Sequence, residues 1–245
     1  MNDISRIKIK NVNTDAFKYG LSTLHALIRF MECILNISYR LDFKKWSARS
    51  DQEKNLFKCR KEKVQTELKA RLAISVDLPR QGSGTSNDGN TARKFFRNSQ
   101  IVAEVTGVDE NLISRFSVLL QVLTSGQSID EHKFESFAIK TAELFEEKYG
   151  WYYMPSSVHK ILLHGSDIIQ STCLPIGQLS EEASESKNKD FKRFRQISSR
   201  TCSRTATNED VLHTLLVSSD SGNGPTSHST PSFHIILLKV LPTLF

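Results

Sequence analysis

The sequence predicts a mainly α-helical protein, and three observations support this fold class. Apolar residues recur at the three- and four-residue spacing of a helix face in several stretches, whereas alternating, strand-like stretches are few. Residues that cap helix N-termini precede these stretches. Turn-forming glycine, proline, serine and asparagine separate them. The 245 residues are enough for one or two domains with a hydrophobic core.

The first two predicted helices differ in how much of their surface is apolar. The first spans residues 21–41 and has a dense apolar face made of Leu24, Leu27, Ile28, Met31, Ile34 and Leu35. The second spans residues 51–73 and has a thinner stripe made of Leu56, Val64, Leu68 and Leu72. Such a thin stripe predicts a half-exposed helix. Residues 79–91 hold a proline and three glycines and are predicted to form a loop.

Helix starts and stops predict the helices that follow this loop. One helix is expected around residues 91–105. Asp109 can cap the next helix, which is expected to end near Gly126. Ser128 and Glu131 have the spacing of a capping box and predict a third helix, which runs to about Tyr149 and stops at Gly150.

The second half of the chain has three further helix starts. Ser156, after a proline, is expected to begin a helix that carries two histidines. Ser180 is a candidate cap for a charged helix. Thr207 with Asp210 is expected to begin a last, short helix.

These features divide the chain into four regions. Residues 1–20 give little signal and form an uncertain N-terminal segment, and residues 21–170 form a helical region. Residues 171–219 hold an acidic cluster followed by a basic helix. Residues 220–245 begin with serine, glycine, proline, threonine and asparagine and end in an apolar stretch. This tail is expected to be disordered or unrelated to the rest; the alternative is a linker with one docking strand.

Composition excludes several classes of protein. The four cysteines are far apart and form no CxxC motif: Cys33, Cys59, Cys173 and Cys202. A disulfide framework is therefore not expected, and the spacing suits a reducing, intracellular compartment. The start of the chain is polar and basic, and no apolar stretch is long enough to span a bilayer, so neither a signal peptide nor a membrane partner is expected.

The positive charge of the chain is concentrated in one stretch, residues 187–204, called here the basic segment. It holds one aspartate and seven basic residues: Lys187, Lys189, Lys192, Arg193, Arg195, Arg200 and Arg204. Its net charge of +6 equals that of the whole chain, so the remainder is neutral on balance. A concentrated positive charge is typical of proteins that bind the phosphates of a nucleic acid.

Three carboxylates precede the basic segment: Glu181, Glu182 and Glu185. One interpretation is a charged surface helix, because acids near its start and bases further along suit the helix dipole. The other is a Mg²⁺-dependent nuclease, in which a carboxylate holds the metal and neighbouring bases hold phosphates. Phe191 and Phe194 are expected to pack the helix down rather than stack on bases.

The residues around this acidic-basic junction resemble a known family. PIGQLSEEASESKNKDFKRFRQ resembles the carboxy-terminal catalytic region of Transib transposases, and is similar to that of the V(D)J recombination-activating protein. GNTARKFF and MPSSVHKILLHGSDII resemble two upstream segments of the family, and TLHALIRF is a weaker match. The matches follow the family's order over about residues 20–219, and their order makes the resemblance specific.

The resemblance implies an RNase-H-like transposase core, of which this chain is the helical C-terminal portion. It assigns Glu185 as the third carboxylate of a DDE triad that binds Mg²⁺, with Glu181 or Glu182 as the alternative. It implies that the basic segment contacts the DNA backbone, that the protein forms a homodimer and that it acts in the nucleus. The parent reaction is Mg²⁺-dependent cleavage and transfer of DNA strands.

The resemblance also implies a zinc site that this chain leaves incomplete. In the family a histidine pair, here His159 and His164, is completed by an upstream CxxC, which this sequence lacks. Positions five apart on a helix differ by about 140°, so the helix is expected to end near Gly165 or the rings to diverge. Ordinary helix histidines without zinc are the favoured interpretation.

The two catalytic aspartates of the family are expected upstream of residue 1. We therefore expect a transposase fragment that does not cut DNA alone, because one glutamate cannot hold two metal ions. Two alternatives remain, a domesticated DNA-binding module and a helical protein-interaction domain.

Overall fold

The computed structural model describes residues 21–79, 85–179, 191–200 and 202–219. These residues are mostly helical, and the β-structure among them is one isolated antiparallel bridge between Pro79 and Thr85. The mainly α fold is therefore confirmed. The RNase-H-like core stays a prediction, since the described residues contain no sheet.

The described residues fall into two compact units. Residues 21–179 belong to unit 1 and residues 191–219 to unit 2. The helices of unit 1 are α1 (Thr23–Ser38), α2 (Asp51–Leu72), α3 (Gly89–Arg97), α4 (Ser99–Thr106), α5 (Glu110–Thr124), α6 (Glu131–Tyr149), α7 (Ser156–Ser171) and a 3-10 turn (Ile176–Leu179). Unit 2 has a π-helical turn (Phe194–Ser198) and α8 (Arg204–Ser219).

The core of unit 1 lies where α1, α5 and α6 meet. Phe30 of α1, Phe116 of α5 and Phe145 of α6 are fully buried. The Phe30 and Phe116 rings meet edge to face with centroids 4.7 Å apart, and Phe116 stacks on Phe145 at 6.5 Å. Such aromatic pairs add to the stability already gained from burying the rings.

Helix α2 lies at the edge of unit 1, as its thin apolar stripe predicts. Its fully buried residues are Val64, Leu68 and Leu72. Leu56, predicted to be on the same stripe, is 46% exposed, so that part of the prediction is wrong. The first turn of α2 is fixed by a capping box between Ser50 and Glu53, and burial of the helix begins only at Val64.

The helix expected around residues 91–105 is two helices, α3 and α4, separated at Asn98. The backbone of Asn98 is non-helical, with φ −116° and ψ 47°, and its side-chain amide donates to the carbonyl of Lys94. Phe95 and Phe96 of α3 and Val102 of α4 are all buried, so both helices contribute to the core.

Two predicted helix starts are displaced. Asp130, and not Ser128, caps α6, and its carboxylate accepts from the Lys133 amide at 3.0 Å. Asp130 directly precedes the first helical residue, which is where a cap must lie. Helix α8 begins before Thr207, and Ser203 accepts from the Ala206 amide at 3.1 Å. The helix predicted from Ser180 lies outside the described residues, as do the regions 1–20 and 220–245.

The 3-10 turn after α7 is fixed against the loop that follows α5. A Cβ on Gly177 would lie 2.5 Å from the backbone nitrogen of Gly126, so only glycine fits there. The Gln178 amide also donates to the carbonyl of Gly126 at 2.9 Å. Gly126 itself has a φ of +70°, which favours glycine at the end of α5.

Candidate nucleic-acid interface

The acidic part of the predicted site lies outside the described residues. Glu181, Glu182 and Glu185 fall in the range 180–190, as do Lys187 and Lys189. The roles assigned to these five residues stay predictions.

The rest of the basic segment begins with a helical stretch whose two sides differ in character. Residues 191–193 are helical and continue directly into the π-helical turn. Phe194 is 8% exposed, whereas Lys192, Arg193 and Arg195 are exposed. The turn contacts α8, where Val211 is also buried. Phe194 therefore fixes the orientation of the turn, and its basic neighbours face solvent.

The two phenylalanines of this stretch behave differently. Packing is confirmed for Phe194, whose ring is also within 5.2 Å of the Arg193 guanidinium. Phe191 is 42% exposed, so the packing prediction is wrong for it among the described residues. Phe191 lies in the α-helical part of the stretch and Phe194 in the π-helical part. Because the geometry changes between them, the two side chains do not share the same surroundings, although they are three residues apart.

Arg200 is engaged within unit 2. Its Nε and Nη2 donate to the two carboxylate oxygens of Asp210 at 2.9 and 2.8 Å, and its backbone amide donates to the same carboxylate at 2.8 Å. These hydrogen bonds lower the pKa of Asp210 to about 2. Arg200 thus ties the basic segment to α8. Arg204, at the first turn of α8, is exposed.

The histidine pair does not behave as the sequence predicts. Helix α7 continues through Gly165, yet the rings of His159 and His164 lie with centroids 5.4 Å apart. Both expected outcomes, an early helix end or diverging rings, are therefore wrong. The 140° estimate describes the directions of the Cβ atoms, whereas side-chain rotamers carry the rings toward each other.

The two rings supply at most two of the ligands that a structural zinc site needs. Within the described residues, no group of three or more histidine, cysteine, aspartate or glutamate side chains is placed to hold a metal ion. The carboxylate of Asp167 lies 3.8 Å from Nδ1 of His164. Structural zinc takes four ligands. The zinc at His159 and His164 and the Mg²⁺ at Glu185 stay predictions.

No protein-family model matches this chain, and no curated protein matches it. Among the helices of the described residues, none is both long and apolar enough to cross a membrane.

Proximity of the two histidines predicts a pH-dependent stability. Burial, together with the nearby His164, lowers the pKa of His159 below its ordinary value. The unfolded chain then binds more protons near pH 6, so stability falls as the pH drops through the unfolded pKa. We expect the melting temperature to fall between about pH 8 and about pH 5.5, and to fall less in His159→Gln.

Thermal melts at both pH values test this expectation. His132→Gln is the matched control, because the His132 side chain is 88% exposed on α6. An equal pH dependence in the two variants would show that His159 does not contribute.

Sequence reasoning missed a second surface, on unit 1. Trp46 is 48% exposed and Tyr153 is 76% exposed, and their rings are in contact. The signal was present in the charge pattern, because residues 40–63 hold nine lysines and arginines against four aspartates and glutamates. Because the chain outside the basic segment is neutral on balance, this local excess does not appear in its net charge.

Proposed function

We propose that this chain is a DNA-binding part of a Transib-like transposase or recombinase, acting in the nucleus. Its basic segment contacts the phosphate backbone of duplex DNA, and Glu185 is one carboxylate of the catalytic cluster. The observation that carries the proposal is the orientation of the π-helical turn. Phe194 is buried, and Lys192, Arg193 and Arg195 are exposed together.

The charges of Lys192 and Arg195 are available to a ligand. Among the described residues, no carboxylate forms an ion pair with Lys192 or Arg195. Arg200, by contrast, is neutralised by Asp210. Phosphate contacts by exposed lysine and arginine release counterions from DNA, which gives affinity without reading the base sequence. Lys192 and Arg195 are therefore the residues on which backbone binding depends most, and Arg193 is exposed beside them.

The parent reaction requires more carboxylates than the resemblance assigns to this chain. In that reaction water cleaves a phosphodiester, and the freed 3′-hydroxyl then attacks another strand, with Mg²⁺ stabilising the developing charge. In that reaction Glu185 would hold a metal ion, and the basic segment would hold the flanking phosphates. Alone, this chain binds DNA without cutting it, because several converging carboxylates are needed.

Salt-dependent binding to duplex DNA tests the proposal. We expect replacement of Lys192, Arg193 and Arg195 by alanine to reduce the slope of log affinity against log salt by about 3, since each lost phosphate contact removes about 0.9. Fluorescence anisotropy of a labelled duplex, measured at several salt concentrations, gives the slope for the full chain and the variant.

The matched control removes the same charge from α6. Lys133, Lys140 and Lys148 are exposed on that helix, and their triple alanine variant should keep the wild-type slope. If both triple variants lose the same slope, binding follows net charge alone and the proposal fails. A salt-independent or absent interaction with DNA would favour the protein-interaction alternative, for which Ile197 and Leu212 are exposed in unit 2.

A strand-cleavage assay addresses the catalytic part separately. The full chain with Mg²⁺ or Mn²⁺ should leave supercoiled plasmid intact. Cleavage that is lost in Glu185→Gln would contradict the incompleteness of the site and would at the same time support the transposase assignment.

A further inference from the structure

We propose that unit 1 carries a second nucleic-acid site, which stacks the unpaired bases of a single strand on Trp46 and Tyr153. These two residues, with Tyr152 beneath them, are called here the aromatic surface. The site goes beyond the proposed function, because it lies on another unit and recognises bases rather than the backbone of a duplex. The exposed rings and the basic loop that support this site do not depend on the transposase resemblance.

The aromatic surface brings together two distant parts of the chain. Trp46 comes from the loop between α1 and α2, and Tyr152 and Tyr153 come from the segment after α6. The Trp46 centroid lies 4.9 Å from that of Tyr152 and 5.5 Å from that of Tyr153. Tyr152 is 6% exposed, whereas Trp46 is 48% exposed and Tyr153 is 76% exposed.

Arg40 holds the aromatic surface in place. Its Nε donates to the carbonyl of Trp46 at 3.0 Å, and its Nη1 donates to the carbonyl and side chain of Asn36 at 2.8 and 2.9 Å. Its guanidinium also lies 5.8 Å from the Tyr152 ring centroid. The loop is thus fixed to the end of α1, and exposed rings that are already positioned lose little freedom on binding a ligand.

The loop between α1 and α2, which carries Trp46, is basic, because it holds four lysines and arginines and one aspartate. Residues 40–63 have a net charge of +5. Part of this charge is paired internally, as in the contact of Lys45 with Glu53 at 2.6 Å. Lys44 and Arg49, two and three residues from Trp46, have exposed side chains. This positive loop complements a polyanion.

Positive charge and exposed rings together favour single-stranded nucleic acid as the ligand. Proteins that bind single strands combine a basic track for the backbone with aromatic side chains on which bases stack. In a duplex the base faces are already covered by their neighbours, so the rings would have nothing to stack on. A ligand bound through its phosphates alone would account for the exposed charges of Lys44 and Arg49, but not for the exposed rings of Trp46 and Tyr153.

Tryptophan fluorescence gives a direct test with the full chain. The protein has two tryptophans, so Trp151→Phe leaves Trp46 as the reporter. We expect oligothymidylate to quench this fluorescence. We also expect Trp46→Ala and Tyr153→Ala each to weaken oligothymidylate binding by about tenfold in anisotropy titrations, the size of one lost stacking contact.

Three controls make the result specific. Tyr153→Phe keeps the ring and should keep the affinity, and Leu78→Ala removes an exposed apolar side chain of the same unit and should have no effect. The alanine variant at Lys192, Arg193 and Arg195 should retain quenching of Trp46, which separates failure of this site from failure of the duplex site.

Unchanged affinity in Trp46→Ala, or unquenched fluorescence in Trp151→Phe, would overturn the proposal. Quenching by a polyglutamate peptide without quenching by oligothymidylate would point to an acidic protein partner instead. Equal responses to both probes would also overturn it, because they would show attraction by charge alone.

Discussion

Replacing Phe116 with alanine is expected to lower the free energy of unfolding by about 3–5 kcal/mol, the cost of truncating a buried aromatic side chain. Phe116 is fully buried, and its ring touches Phe30 at a centroid distance of 4.7 Å and Phe145 at 6.5 Å. The cavity would open where α1, α5 and α6 meet, so both ring contacts would be lost together.

Urea denaturation followed by circular dichroism measures this loss. Leu56→Ala is the control, because Leu56 is 46% exposed on α2 and its truncation should change stability by less than about 0.5 kcal/mol. If Phe116→Ala had no larger effect than Leu56→Ala, the helices could not be packed around Phe116 as described.

Replacing Arg60 with alanine is expected to lower the free energy of unfolding by about 2–3 kcal/mol, through lost hydrogen bonds from a charged donor. Its Nε donates to the carbonyl of Ser38 at 2.6 Å, and its Nη2 donates to the carbonyl of Thr106 at 3.1 Å. Arg60 therefore joins α2 to the last residues of α1 and α4. Its ion pair with Asp42 adds less, because the Asp42 side chain is 40% exposed.

Chemical denaturation of Arg60→Ala, compared with Lys63→Ala, measures how much the hydrogen bonds of Arg60 contribute to stability. Lys63 lies on the same helix and pairs with Glu67 only at 3.9 Å, with 75% of its side chain exposed. Arg60→Lys should recover little stability, since one ammonium group cannot reproduce the fork of a guanidinium. Equal stabilities of Arg60→Ala and Lys63→Ala would contradict the role of Arg60.

Local signals predicted much of the fold of unit 1. The apolar spacing around Leu27 and Met31 predicted α1, because a helix that lies in a core must be apolar along one face. Asp109 predicted the start of α5, and its carboxylate does accept from the Leu112 amide at 3.0 Å. Capping is decided by a few neighbouring residues, so a sequence shows it directly when one candidate cap stands alone.

The break between α3 and α4 was not predictable from the same signals. Residues 91–105 contain neither proline nor glycine, and their helical spacing continues across Asn98. Both halves pack on α1 and α5, and α4 also packs on α2, so the break accompanies tertiary contacts that the local spacing does not encode. Ser128 failed as a cap because Asp130 competes for the same helix end.

The candidate site was predictable in its residue types but not in its geometry. The charge pattern predicted a basic surface that includes Lys192 and Arg195, and its orientation depends on which phenylalanine is buried. The pairing of Arg200 with Asp210 arises only once the chain turns back on α8. The contact between Trp46 and Tyr153 joins residues far apart in sequence, and no local pattern encodes it.

The close approach of Gly177 to Gly126 has a consequence for the residues that follow. Main chain meets main chain there, so the exit point of the polypeptide from unit 1 is anchored beside the C-terminal end of α5. The last described residues of unit 1 are therefore held by backbone packing. A bulkier residue at position 177 would push the 3-10 turn away from the end of α5 and displace Leu179, where the described part of unit 1 ends.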